Sequence, residues 1–131
     1  EVVTMNTPKR VLLVDDDPDI RAMIAAMLSQ EAYEITEAES ASVAINELNT
    51  AGPFDLAILD FWLGKNHSVS IMDEMAAKGA DVPIIMISGG NRSMDLELTE
   101  AISDISGAVV FLQKPFQKTI LLDAVRSALR S

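Results

Sequence analysis

The sequence predicts an α/β domain in which a five-stranded parallel sheet is doubly wound, with helices on both faces. Three observations carry this. Short apolar runs alternate along the chain with segments whose apolar residues recur at helical spacing. The runs Arg10–Val14, Phe54–Asp60 and Val82–Ile87 are mostly apolar, as strands covered on both faces must be. The chain has 131 residues, 49% of them hydrophobic, which is the size of one domain and ample for a core.

Residues 1–8 read as a tail and 9–131 as the domain. Arg10–Val14 is β-rich and stops on Asp15, Asp16 and Asp17. Asp17 suits an N-cap and Pro18 the first helical turn. The first helix then carries Ile20, Met23, Ile24, Met27 and Leu28 as a core-facing stripe. Tyr33–Ala38 alternates at period two, which predicts a strand nearer the sheet edge. Ser40 or Ser42 caps a second helix bearing Val43, Ala44, Ile45 and Leu48. Gly52–Pro53 breaks the chain before the strand Phe54–Asp60. A loop, 61–68, leads to a third helix from Val69 to Lys78, with Gly79 as its C-terminal cap. Strand Val82–Ile87 ends on Ser88, with proline near its start. A fourth helix is expected at 93–105, a fifth strand at Ala108–Leu112, and a last helix from Lys118 with Leu121, Leu122, Val125 and Leu129 inward.

Composition excludes several functions. Twenty acidic against ten basic residues give a net charge of −10, which phosphate backbones and anionic membrane surfaces repel. Direct nucleic-acid or membrane binding is not expected. No apolar run approaches the roughly 18 residues of a membrane span, and no signal peptide is visible. Cysteine is absent, which removes disulfides and thiolate chemistry and fits a cytoplasmic setting.

The strand ends carry the chemistry. In a parallel sheet they lie along one edge, where open α/β sheets place ligands. The first supplies Asp15, Asp16 and Asp17, the third Asp60, the fourth Ser88 and the fifth Lys114. Taken singly, each is an ordinary turn or cap residue. Together they form a matched set. Two charges about 4 Å apart repel by roughly 4 kcal/mol at an effective dielectric of 20, so crowded carboxylates need a cation. An all-oxygen donor set selects Mg²⁺, Mn²⁺ or Ca²⁺. Mg²⁺ leaves room for a phosphate oxygen, with the Ser88 hydroxyl and the Lys114 ammonium as partners for the others. The set points to phosphoryl chemistry at a carboxylate.

These motifs, Val11-Leu12-Leu13-Val14-Asp15-Asp16-Asp17-Pro18, Asp55-Leu56-Ala57-Ile58-Leu59-Asp60, Ile85-Met86-Ile87-Ser88-Gly89 and Lys114-Pro115-Phe116, resemble those of the CheY-like receiver domains of two-component response regulators. The resemblance runs over about residues 9–130. It implies the flavodoxin-like strand order 2-1-3-4-5. It implies a phosphorylation-dependent switch, not an enzyme, that accepts a phosphoryl group on Asp60 from a histidine kinase or phosphotransfer protein and assists its own phosphorylation and dephosphorylation. Asp15, Asp16, Asp60 and the backbone carbonyl of Trp62 would then bind Mg²⁺, with Mn²⁺ as substitute. Ser88 would be the switch hydroxyl, Lys114 the phosphoryl contact and Phe111 the switch aromatic, without the hydroxyl of the commoner Tyr. The bond before Pro115 is expected to be cis. The face made by the fourth helix, fifth strand and fifth helix would meet an effector domain or a second copy. The sequence departs from the family at Gly64 and Ser68, where proline and glycine are usual, and His67 is expected to be solvated.

Two rivals remain at this point. Asp15-x-Asp17 also suits a phosphohydrolase of the haloacid-dehalogenase type with Asp15 as nucleophile. The receiver fold could also serve only as a protein-interaction module.

Overall fold

The computed structural model describes residues 8–63, 66–67, 69–79, 81–88 and 109–130; for Asn66, His67, Ser88, Val109 and Arg130 it describes the backbone alone. Its strands are β1 (Lys9–Val14), β2 (Tyr33–Ala38), β3 (Leu56–Asp60), β4 (Trp62–Leu63), β5 (Asn66–His67), β6 (Ile84–Ser88) and β7 (Val109–Gln113). Its helices are α1 (Pro18–Leu28), α2 (Ala41–Thr50), α3 (Val69–Ala77) and α4 (Lys118–Arg130). The helix expected at 93–105 and residues 1–7 of the expected tail lie outside the described residues.

Five strands form one sheet in the order β2-β1-β3-β6-β7, with every neighbouring pair parallel. Counting these five alone, the order is 2-1-3-4-5, as the resemblance implies. Side chains alternate across the strands and sort into two cores. Leu12, Val14, Ala57, Leu59 and Met86 face one way, where Ala44 of α2 and Ile71, Met72 and Met75 of α3 cover them. Val11, Leu13, Ile58, Ile85 and Ile87 face the other, under Ile24 and Leu28 of α1 and Leu121, Leu122 and Val125 of α4. All five residues of β3 are buried, because it lies at the centre of the sheet between both helical layers.

Local signals act as expected at most boundaries. Asp17 caps α1, its carboxylate accepting from the amides of Asp19 at 2.9 Å and Ile20 at 3.4 Å. Of the two candidate serines, Ser40 caps α2 by accepting from the Val43 amide, and Ser42 bonds to the Ser40 hydroxyl. Gly79 follows α3 with φ of 69°, the left-handed conformation that favours glycine at this position. The Lys114–Pro115 bond is cis, as is Gly52–Pro53.

Four expectations need adjustment. β3 begins at Leu56 and not at Phe54, because Asp55 turns to Arg10: the Asp55 amide donates to the Arg10 carbonyl, and the Asp55 carboxylate accepts from the Arg10 amide. β6 begins at Ile84, after Pro83, whose carbonyl still accepts from Ala57. Met23 is 38% exposed; it lies on the flank of the α1 stripe, whose inward centre is Ile24 and Leu28. The stretch expected to be a plain loop contains an antiparallel pair, with Trp62 opposite His67 and Leu63 opposite Asn66.

Candidate functional site

Register brings the candidate groups together. Val14 pairs with Leu59 and Asp60 with Ile87, so Asp15 and Asp60 leave adjacent central strands side by side. Ser88 pairs with Gln113, which puts Lys114 one residue beyond the same edge. The side chain of Ser88 lies outside what the structure describes, as does that of His67.

Asp15 is buried and held on every side. Its amide donates to the Ala38 carbonyl at 3.1 Å, at the end of β2. One carboxylate oxygen accepts from the Asp17 amide at 2.9 Å, and the other from Lys114 Nζ at 3.1 Å. Lys114 Nζ also lies 3.7 Å from Asp60 Oδ1. Asp16 is exposed, and one carboxylate oxygen from each of Asp15, Asp16 and Asp60 falls within 4.8 Å of the others.

Asp60 is 6% exposed, and its carboxyl is pushed up to about 7 from the ordinary 3.8. Burial is the largest cause and the charge of Asp15 the next. Lys114 opposes them, Asp16 adds to the rise, and a hydrogen bond from the Trp62 backbone lowers it. Three carboxylates less one ammonium leave a formal charge of −2 when all are ionised, and this excess adds to the effect of burial on Asp60. A divalent cation would match it. Two oxygens bound to one octahedral cation through bonds of about 2.1 Å are at most roughly 4.2 Å apart. Oxygens already within 4.8 Å close around such an ion with small movements or through a water. The donor set fits Mg²⁺.

Trp62 is half-buried, and its ring meets the fully buried Phe61 edge to face at 5.0 Å. Phe111 stands on β7, the edge strand, and is 41% exposed. Sequence reasoning missed Arg21 and Glu37. Arg21 Nη1 donates to the Asp15 carbonyl at 2.7 Å and Nε to Glu37 at 3.1 Å. The signal was present: Arg21 lies one turn after the cap residue Asp17, and Glu37 occupies a polar position near the end of β2.

A doubly wound parallel sheet with a cation-ready carboxylate cluster and one lysine at its carboxyl edge defines a phosphoryl-handling class of α/β protein. The family model described as the response regulator receiver domain matches residues 11–126, and the chain belongs to that family. It is a receiver domain of two-component systems, a phosphoacceptor switch. It is 36% identical over 123 residues to the regulatory protein VirG of Agrobacterium tumefaciens, covering 93% of this chain and 44% of that protein. It is 33% identical to the nitrogen assimilation regulatory protein NtrX of Azorhizobium caulinodans, over 92% of this chain and 26% of the relative. Among solved structures, the receiver domain of NtrX from Brucella abortus superposes with a TM-score of 0.78 at 30% identity, covering 92% of this chain and 98% of that one. The chain thus spans less than half the length of these two curated relatives. The family match displaces the haloacid-dehalogenase alternative. No helix among the described residues is long and apolar enough to cross a membrane.

Proposed function

We propose that Asp60 is the phosphoacceptor, taking a phosphoryl group from a phosphohistidine of a histidine kinase or phosphotransfer protein with Mg²⁺ held by Asp15, Asp16, Asp60 and the Trp62 carbonyl. The observation that carries this is the joint position of Asp60: last in the central strand, bonded to by the Trp62 amide and beside Lys114. An Asp60 oxygen attacks phosphorus, the phosphorus–nitrogen bond of the donor breaks, and the freed imidazole takes a proton from water. The product is an acyl phosphate on Asp60. Mg²⁺ held by Asp15, Asp16 and Asp60 would supply positive charge beside the carboxylates, which would favour the ionised form of Asp60. Lys114 adds a further positive charge, so positioning and electrostatics do most of the work and no dedicated base is needed.

Asp15 fits the metal role better than the nucleophile role, because both of its oxygens already accept hydrogen bonds. Ser88 is the proposed switch hydroxyl, at the end of the strand beside Asp60. Phe111 is the proposed switch aromatic; its exposure leaves an inward rotation to be driven by packing. The face at β7 and α4 is the proposed meeting place with an effector domain or a second copy, in the cytoplasm. Incubation with acetyl phosphate or phosphoramidate and Mg²⁺ should add one base-labile phosphoryl group. Asp60→Asn should abolish the mass gain, and a labelled variant would overturn the assignment.

A further inference from the structure

We infer that Arg21 is a positioning residue for the cation site, acting through the backbone of the Asp15–Asp16 segment; this rests on reading Asp15, Asp16 and Asp60 as that site. Arg21 sits in the second turn of α1, with its side chain only 18% exposed. Its Nη1 donates to the Asp15 carbonyl at 2.7 Å while Nε is held by Glu37 of β2 at 3.1 Å. The same Asp15 donates its amide to Ala38, the residue after Glu37. Two elements therefore grip the two ends of one residue: β2 takes its N–H, and α1 takes its C=O through Arg21.

The grip has a consequence for Asp16. The Asp15 carbonyl belongs to the peptide unit that joins Asp15 to Asp16, and that unit is planar. Fixing its oxygen fixes the plane from which Asp16 departs, and hence where the exposed carboxylate of the trio points. Asp15 and Asp60 are buried, whereas Asp16 is exposed at the rim of the trio. The peptide plane that Arg21 holds is the one from which the Asp16 side chain departs, so the brace bears directly on the direction of that carboxylate. Groups of this kind, which orient ligands without touching the ion, commonly change metal affinity ten- to a hundredfold when removed.

Charge alone predicts the opposite sign. Removing a guanidinium near a cation site should tighten cation binding. A brace that only supports the fold should lower stability and leave affinity unchanged. The test is calorimetric titration of the intact protein with Mg²⁺, alongside thermal melting without metal, for wild type, Arg21→Ala, Arg21→Lys and Glu37→Gln. We expect Arg21→Ala to weaken Mg²⁺ about tenfold. Arg21→Lys should recover part of the loss, because an ammonium can reach one of the two oxygens but not fork between them. Glu37→Gln, which keeps an acceptor for Nε, should change affinity by less than threefold. Phosphorylation by acetyl phosphate should return to within about twofold of wild type once Mg²⁺ is saturating. Tighter or unchanged binding in Arg21→Ala overturns the inference, as does a rate defect that saturating Mg²⁺ leaves in place. A wild-type protein that binds no Mg²⁺ overturns instead the site reading on which the inference stands.

Discussion

At the scale of single residues, Asp60 is a carboxyl that the fold moves well above its ordinary titration. Its folded pKa is about 7 against an ordinary 3.8, so between these values the folded chain holds a proton that the unfolded chain has released. Metal-free stability must then fall as pH rises through that window. The interval sets a ceiling of about 4 kcal/mol on the effect. In chelator, the melting temperature should decline from pH 4.5 to pH 7.5, and Asp60→Asn should melt higher than wild type at pH 8 and nearly level with it at pH 5. Equal melting of the two at pH 8 would count against a strained carboxylate. Lys114→Met should push the Asp60 titration higher still, since it removes an ammonium 3.7 Å from Asp60 Oδ1, and a carbon-detected titration of the carboxyl would read it directly.

At the scale of elements, the ends matter more than the middles. Asp17→Ala removes the acceptor for two amides of α1 and should cost about 1 kcal/mol in denaturant unfolding. Two glycines separate backbone strain from collision. A Cβ on Gly79 meets nothing within 4 Å, yet φ is +69°, so Gly79→Ala should cost about 1 kcal/mol from conformation alone. A Cβ on Gly52 would lie 2.9 Å from the Leu48 backbone oxygen, and because backbone yields less readily, Gly52→Ala should cost more than Gly79→Ala. A reversed order would show that the end of α2 relaxes freely. The features readable from sequence share a cause: they are local or periodic. The Asp17 cap, the Gly79 turn, the buried runs and their terminal carboxylates all declare themselves within a few residues. The missed features are long-range or marginal. Arg21 meets Glu37 sixteen positions away; Arg10 reaches Glu34, Pro53 and the Phe54 ring. Met23 failed as a core residue because apolar spacing alone does not mark the edge of a stripe.

At the scale of the whole molecule, a net charge of −10 complicates any test of the cation site. Every divalent ion will screen a chain this acidic and stabilise it a little, wherever it sits. The specific site differs in being coupled to a proton. Binding Mg²⁺ at the trio requires Asp60 to lose the proton it holds below about pH 7, whereas diffuse screening by surface carboxylates is nearly constant above pH 5.5. Saturation to 100 times the dissociation constant should stabilise by about 2.7 kcal/mol, a rise in melting temperature on the order of 10 °C for a chain of this size. The dissociation constant itself should weaken by roughly tenfold per pH unit on going below 7, because one proton leaves for each ion bound. At fixed millimolar Mg²⁺ the thermal shift should therefore shrink markedly from pH 8 to pH 5.5, at matched ionic strength. Asp60→Asn removes the proton and with it this dependence, leaving a small shift that varies little with pH. If wild type and Asp60→Asn give the same shift at both pH values, the stabilisation belongs to the acidic surface and not to the end of β3.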